Sequence, residues 1–197
     1  MILSINNCKP IKLVPFFFIR HGETEWNKKH IVMGSTDCPL NEKGISQAKN
    51  AAKVLKKESQ ISLIITSPLL RSVKTAKIIQ KQLHCPLVYL EDLKEVNLGI
   101  MEGKPSDKES WITEWEKGKF IENAETNKEF IERVISATNE CLTYRSPVLI
   151  FSHALFWWQL SKVLFGFNQN IENAVPYFLR PPEKSGIPWF TYPLENQ

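Results

Sequence analysis

The sequence lacks the patterns of several structural classes. It has no internal repeat, no low-complexity tract and no Gly/Ser-rich linker, so neither a repeat protein nor a chain of linked modules is indicated. The apolar run at residues 13–19 is too short to span a bilayer and contains Pro15. The N-terminus has no basic segment followed by a long apolar core, so no secretion signal is predicted. We therefore expect a cytoplasmic protein without a membrane partner.

The cysteine and charge patterns exclude further classes. The cysteines are scattered, with no C-x-x-C pair and no histidine spaced to complete a metal site. Reduced thiols are expected in a chain without a secretion signal, and neither a metal nor another cofactor is predicted. The net charge is only +4 and the lysines form no block, so no nucleic-acid partner is predicted. The cysteines are Cys8, Cys38, Cys85 and Cys141.

The length and composition fit a single domain. A chain of 197 residues with 43% hydrophobic and 23% charged residues has enough material for one core. We expect this domain to cover residues 1–197, with a short extension at 1–10 and an irregular aromatic tail at about 181–197. The sequence leaves the oligomeric state open, and a homodimer is one of the options.

Short apolar runs alternate with amphipathic segments, and this order predicts an α/β protein. The expected strands cover about residues 12–19, 61–66, 86–90 and 147–151, with a late strand at 177–179. The expected helices cover about residues 41–57, a segment from 67 onward, 106–117, 126–144 and 154–165. Asn41 and a Thr126–Glu129 capping box predict two of the helix starts, and Ser67 before Pro68 predicts a third.

A polar cluster follows the first expected strand. The apolar run at residues 16–19 suits a central strand buried on both faces of a parallel sheet, and it ends at Arg20, His21 and Gly22. Ligands of open α/β sheets bind beyond the carboxyl ends of the strands. Arginine beside histidine at such a position joins an anion-binding group to a candidate nucleophile. Gly22 allows a sharp turn or a close approach to a ligand. The alternative is an ordinary polar loop.

A second histidine and a second arginine occupy comparable positions. His153 follows the strand at 147–151, and Arg71 lies in the first turns of the helix after the strand at 61–66. The helix dipole disfavours arginine there unless an anion binds beside it, and a solvated surface arginine is the alternative. A lone histidine after a strand is usually an ordinary hydrogen-bonded residue, but two at equivalent strand ends indicate a shared site.

Other polar and aromatic residues leave alternatives open. The loop at residues 91–103 is rich in carboxylates, and spacing alone does not choose a catalytic acid among Glu91, Asp92, Glu95 and Glu102. His30 and His84 match no motif and are predicted at the surface. Four tryptophans fit an apolar pocket wall or ordinary core packing equally well. These are Trp111, Trp115, Trp157 and Trp158.

Four segments, in order along the chain, resemble the histidine phosphatase superfamily with its phosphoglycerate mutase-like fold. They are R-H-G-E-T-x-x-N from Arg20 to Asn27, T-S-P-L-L-R-S-V-K-T-A around Arg71, L-x-E-x-x-x-G-x-x-E-G over residues 93–103, and S-H-A at 152–154. The resemblance covers roughly residues 13–165. The family usually has S-H-G in the last segment, so Ala154 is a departure, but it still supplies a backbone N–H to a phosphate.

The resemblance implies a three-layer α/β/α sandwich with a mostly parallel central sheet and a site for phosphoryl transfer. His21 would attack phosphorus as a neutral imidazole and form a phosphohistidine. Glu95, which occupies the motif's acid position, would act as general acid and then as general base. Burial would raise the pKa of Glu95, and the neighbouring cations would lower it. The implied phosphate-binding groups are Arg20, Asn27, Arg71, His153 and the Ala154 amide.

Within this family, the sequence favours a phosphatase over a mutase. Cofactor-dependent mutases carry a long insertion between the acid and the second histidine, and the segment from Glu95 to His153 leaves little room for one. The sequence therefore predicts a metal-independent phosphomonoester hydrolase, of the histidine acid phosphatase type, that acts on a small phosphorylated substrate. The alternatives are a cofactor-dependent phosphoglycerate mutase and a non-catalytic relative that binds a phosphorylated ligand.

Overall fold

The computed structural model describes residues 10–58, 60–106, 111–145, 147–184 and 188–194. The strands are β1 (Phe16–Arg20), β2 (Leu63–Thr66), β3 (Leu87–Tyr89), β4 (Val148–Ser152), β5 (Pro176–Arg180) and β6 (Phe190–Pro193). The helices are α1 (Glu25–Lys28), α2 (Glu42–Leu55), α3 (Leu70–Leu83), α4 (Trp111–Glu116), α5 (Asn127–Cys141) and α6 (Ala154–Phe165). Two 3₁₀ turns lie at Glu91–Leu93 and Gly99–Met101. Among the described residues, no helix is both long and apolar enough to cross a membrane.

The strands form one mixed sheet in the order β3-β2-β4-β1-β5-β6. Strands β1, β2, β3 and β4 are parallel to one another. Strand β5 pairs antiparallel with β1, and β6 pairs antiparallel with β5. The predicted α/β class with a mostly parallel sheet is therefore confirmed. The aromatic tail differs from the expectation of irregular structure, because Phe190–Pro193 extends the sheet as its edge strand.

Helices cover both faces of the sheet, which explains the unbroken apolar run in β1. Phe16 and Phe18 pack with residues of α5 and α6 on one face, while Phe17 and Ile19 pack with α2 and α3 on the other. A strand buried on both faces has no polar alternation, because each successive side chain enters a core. This is the predicted three-layer α/β/α arrangement.

The strand register brings the polar residues after β1, β2 and β4 to one edge of the sheet. Arg20 lies beside Ser152, and the His21 N–H donates to the Ser152 carbonyl at 3.3 Å. The Ser67 N–H donates to the Phe151 carbonyl at 3.0 Å, which continues the β2–β4 pairing. Because the three strands are parallel, His21, Ser67 and His153 follow them at the same carboxyl edge.

The helix starts confirm two of the predicted caps and correct the third. The Asn41 side chain accepts from the Gly44 N–H, and the Thr126–Glu129 capping box is formed. Ser67 is not the cap of α3, which begins at Leu70. The exposed Asp37 carboxylate accepts the Leu70 N–H at 2.7 Å. The helix predicted from residue 106 is described from Trp111 onward, and residues 107–110 lie outside the described residues.

The structure shows the state of three cysteines and the exposure of the two histidines that were predicted at the surface. Cys38, Cys85 and Cys141 are free thiols, and Cys8 lies outside the described residues. His30 and His84 are exposed, as predicted. Trp115 and Trp157 are fully buried in the core, which favours the packing interpretation for these two tryptophans.

Two glycines bring the backbone after β1 against the start of α2. A Cβ on Gly22 would lie 2.5 Å from the Gly44 carbonyl oxygen, and a Cβ on Gly44 would overlap the Glu23 carbonyl oxygen. The close approach expected at Gly22 is therefore an approach to the α2 backbone. This contact places α2 directly against the segment that carries His21.

Gly44→Ala is expected to lower the free energy of unfolding by about 2 kcal/mol, because main-chain atoms cannot move aside as a side chain can. Alanine in a helix otherwise stabilises relative to glycine by roughly 1 kcal/mol, so the sign of the effect is diagnostic. Urea unfolding of the variant measures it. Asn50→Ala, at an exposed position of α2, is the control and should leave stability within roughly 0.5 kcal/mol of wild type. A more stable Gly44→Ala variant would contradict the contact.

Candidate active site

Two buried histidines lie side by side at the carboxyl edge of the sheet. His21 is 3% exposed and His153 is fully buried, and their ring centroids are 5.3 Å apart. Their proximity follows from the β1–β4 register, since each residue comes directly after a paired strand end. The structure therefore brings together the two histidines that the sequence placed at equivalent strand ends.

Hydrogen bonds assign the tautomer of each neutral imidazole. His21 Nδ1 lies 2.7 Å from the Gly22 carbonyl oxygen, which can only accept, so Nδ1 carries the proton and Nε2 keeps its lone pair. Arg71 Nε, which can only donate, lies 3.3 Å from His153 Nδ1. His153 therefore carries its proton on Nε2 and donates it to the Ser67 hydroxyl at 2.8 Å.

The two predicted arginines lie beside this histidine pair. Arg71 is 1% exposed, and its terminal nitrogens donate to the carbonyls of Thr36 at 2.8 Å and Gly34 at 2.7 Å. Arg20 donates from Nη1 to the Ile171 carbonyl at 3.1 Å. Its Nε is buried and has no hydrogen-bond partner among the described residues. The site thus contains a buried guanidinium N–H available to an anion.

Burial and charge both keep the histidines neutral. Burial, together with the positive charges of Arg71 and Arg20, holds the pKa of His21 well below its ordinary value. Burial, as the largest cause, and the positive charge of Arg71 also hold the pKa of His153 well below its ordinary value. Burial also lowers the pKa of Arg20 to about 10, which leaves this guanidinium charged at neutral pH.

Glu95 is the buried carboxylate of the acidic loop. It is 7% exposed, and its oxygens accept from the N–H groups of Leu155 at 2.9 Å and Phe156 at 3.0 Å in the first turn of α6. The N–H of Val96 also donates to it, at 3.2 Å. Burial raises the pKa of Glu95, and these N–H donors and the two arginines only partly oppose the shift.

The other three carboxylates of the loop are placed differently. Glu91 and Asp92 are exposed, and Glu91 pairs with Lys94 at the surface. Glu102 accepts hydrogen bonds from Ser35 and Thr36. Burial beside the arginines therefore separates Glu95 from the three competitors that spacing left open.

The contacts of Asn27 and Ala154, two predicted phosphate-binding residues, do not show a role in phosphate binding. The Asn27 Oδ1 atom accepts from the Thr24 N–H at 3.2 Å and completes a capping box of α1. Ala154 is the first residue of α6 and precedes Leu155 and Phe156, whose N–H groups donate to Glu95. Their contact with a phosphate stays a prediction.

Several residues around the site were missed by sequence reasoning. The Asn173 side chain donates to the His21 carbonyl at 2.9 Å, and Ser67 binds His153. Arg133 donates to the carbonyls of Asp92 and Lys94, both at 2.8 Å, and pairs with Glu125 at 2.6 Å. It thereby holds the loop that carries Glu95. No local pattern identifies these residues, because each contact joins distant segments.

The sequence profile of the histidine phosphatase superfamily (branch 1) matches residues 16–175. The chain belongs to this superfamily. Among its histidine phosphatase relatives is a Bacillus subtilis protein named uncharacterized phosphatase PhoE, which is 36% identical over 138 residues, 68% of this chain and 69% of that protein. Another, from Photorhabdus laumondii, is named probable phosphoglycerate mutase GpmB and is 32% identical over 173 residues, 83% of this chain and 80% of that protein.

Solved structures of a phosphatase and a mutase share the fold. A mycobacterial glucosyl-3-phosphoglycerate phosphatase, solved with VO3, aligns with a TM-score of 0.76 and 23% identity, over 90% of this chain and 97% of that one. A phosphoglycerate mutase from Thermus thermophilus aligns with a TM-score of 0.73 and 20% identity, over 93% of this chain and 99% of that one. The phosphoglycerate mutase-like fold is therefore confirmed.

Proposed function

We propose that this histidine phosphatase hydrolyses small phosphomonoesters through a phosphohistidine on His21, without a metal ion. The observation that carries the proposal is the pair of buried, neutral imidazoles beside two guanidiniums, with the His21 Nε2 lone pair unprotonated. A phosphoryl group carries its charge on three oxygens, so two fixed guanidiniums supply the electrostatic stabilisation that transfer requires.

The first step transfers the phosphoryl group to the enzyme. His21 Nε2 attacks phosphorus while the bond from phosphorus to the alcohol oxygen breaks, and Glu95 gives its proton to that oxygen. Arg20 and Arg71 bind the phosphoryl oxygens during transfer, and His153 joins them by turning its Nε2–H from the Ser67 hydroxyl to the phosphate. The pKa directions support these assignments, because His21 stays neutral and burial favours the protonated form of Glu95.

The second step releases inorganic phosphate. The Glu95 carboxylate takes a proton from a water molecule, the water oxygen bonds to phosphorus, and the phosphorus–nitrogen bond to His21 breaks. Glu95 returns to its protonated form and His21 to its neutral form, so the cycle closes without another reactant. Asn27 and the Ala154 amide would add contacts to the phosphate in both steps.

The chain between Glu95 and His153 supports phosphatase over mutase activity. Apart from one 3₁₀ turn, its described residues form only α4, α5 and β4, which leaves little chain for an inserted element. The relatives include proteins named as phosphatases and as mutases, so their names alone do not choose. A mutase is the second candidate because of the GpmB-type relatives.

A substrate panel should separate these functions. We expect phosphate release from 4-nitrophenyl phosphate, a sugar phosphate and 3-phosphoglycerate, unchanged by EDTA and by added 2,3-bisphosphoglycerate. Glucosyl-3-phosphoglycerate belongs in the panel because a neighbour of this fold is named for it. Production of 2-phosphoglycerate that depends on the bisphosphate would indicate a mutase. Binding of phosphate without turnover of any panel member would indicate a non-catalytic relative.

A further inference from the structure

A single carboxylate organises the loop at residues 34–36, which we call the arginine loop because its carbonyls bind Arg71. Glu102 Oε1 accepts the N–H of Ser35 at 2.8 Å and its hydroxyl at 3.0 Å. Glu102 Oε2 accepts the N–H of Thr36 at 2.9 Å and also its hydroxyl. The Leu98 N–H donates to Oε1 at 2.9 Å. The Glu102 carboxylate therefore joins the acidic loop to the arginine loop.

The arginine loop in turn fixes the guanidinium of Arg71. Both terminal nitrogens donate to its carbonyls, Nη2 to Gly34 at 2.7 Å and Nη1 to Thr36 at 2.8 Å. The third nitrogen, Nε, donates to His153. The position of the Arg71 charge relative to the imidazole pair is therefore set by main-chain atoms that Glu102 holds.

The Glu102 carboxylate packs directly against the backbone of the arginine loop. Gly34 has a φ of +52°, and a Cβ at this position would overlap Glu102 Oε1. A left-handed backbone and a direct approach to the carboxylate both require glycine there. The loop conformation and the carboxylate position are therefore coupled.

We propose that Glu102 is a positioning residue for phosphate binding, holding the arginine loop so that Arg71 presents its guanidinium to the phosphoryl oxygens. The proposal rests on the proposed function of the same site. Among the described residues, Glu102 makes no hydrogen bond to either imidazole. It acts on the substrate through Ser35, Thr36 and Arg71.

The hydrogen bonds of Glu102 argue against a role as proton donor. Partial burial by itself would raise its pKa, but the bonds from Thr36, Leu98 and Ser35 outweigh burial and lower the pKa. Glu102 therefore remains ionised at neutral pH and has no proton to give to a leaving group. This distinguishes it from Glu95, whose pKa is raised.

Glu102→Gln tests the proposal, because the amide keeps the size but removes the charge and one acceptor oxygen. We expect the inhibition constant of inorganic phosphate and the KM of phosphomonoesters to rise about tenfold. The rise should be equal for 4-nitrophenyl phosphate and for an alkyl phosphate, because phosphate binding is common to both. Thr36→Val, which removes only one hydroxyl donor, should raise the same constants by about threefold. Glu91→Gln, at an exposed carboxylate of the same loop, is the matched control and should change neither constant.

Titration calorimetry with inorganic phosphate separates this proposal from the proposed function. If wild-type protein binds phosphate but shows no turnover, weaker binding by Glu102→Gln and by the milder Thr36→Val still supports the positioning role. Unchanged phosphate affinity in both variants would overturn it, even if urea unfolding shows lower stability, because Glu102 would then be only structural. A loss confined to the alkyl phosphate would also overturn it, because it would make Glu102 a proton donor. Absence of both phosphate binding and turnover in wild-type protein would overturn both proposals.

Discussion

Replacing His21 with alanine is expected to lower phosphate release by at least about 10³-fold, because no other group can accept the phosphoryl group in its place. The neighbouring His153 cannot substitute for it. Its Nδ1 accepts a hydrogen bond from Arg71, and its Nε2 carries the proton donated to Ser67. Phosphate release is measured with 4-nitrophenyl phosphate at substrate saturation.

The covalent intermediate gives a second readout of the His21 prediction. Rapid quenching of wild-type enzyme under alkaline conditions should trap acid-labile phosphate on the protein, and the His21→Ala variant should trap none. His84→Asn is the control, since His84 is exposed and follows the end of α3 in a left-handed conformation that asparagine tolerates. Phosphate release by His21→Ala at a rate near that of wild type would refute the assignment of the nucleophile.

Glu95→Gln is expected to divide substrates by their leaving groups. An alkyl alcohol needs a proton to depart, so kcat/KM for alkyl phosphates should fall about 10²- to 10⁴-fold. 4-Nitrophenolate leaves without a proton, so its kcat/KM should fall far less. Without a carboxylate to activate water, phosphorylated His21 should then accumulate, which appears as a burst of 4-nitrophenolate followed by slow turnover.

The pH dependence of kcat/KM tests the same assignment. His21 must be neutral, so activity falls as pH drops below its pKa, which burial and the two arginines hold below the ordinary value. Glu95 must be protonated for the first step, so activity falls as pH rises above its pKa, which burial raises. A lower pKa of His21 and a higher pKa of Glu95 both widen the pH range in which His21 is neutral and Glu95 is protonated, so we expect a bell-shaped profile with its maximum between the two pKa values.

The alkaline limb of this profile is the specific readout for Glu95. With an alkyl phosphate, Glu95→Gln should lose that limb, since the amide does not titrate, while the acidic limb from His21 remains. Urea unfolding controls for the hydrogen bonds that Glu95 accepts from Leu155 and Phe156 in α6. An equal loss with both leaving groups and an unchanged alkaline limb would show that another group supplies the proton.

The elements that could be predicted from the sequence are those governed by neighbouring residues. The apolar run at 16–19 identified a strand buried on both faces, and Asn41 and the Thr126–Glu129 box identified helix starts. These features depend on interactions within a few residues, so a linear pattern contains them. The edge of the sheet that carries the site was identified in the same way. The signals were the motif around Arg20 and His21, the family resemblance of that motif, and the position of His153 at a strand end.

Only the tertiary structure showed the features that depend on contacts between residues far apart in the sequence. The Ser67 hydroxyl binds His153, 86 residues away, and Asp37 instead caps α3. The choice of Glu95 over Glu102 depends on burial beside the arginines, which spacing does not contain. Phe190–Pro193 is a strand because β5 offers it a free edge, although its own sequence indicated irregular structure. Local sequence therefore determined strands β1 to β5, the helix starts at Asn41 and Thr126, and the residue types of the site. Only folding, which brings residues such as Ser35 and Glu102 together across 67 positions, decided which side chains contact one another at the site.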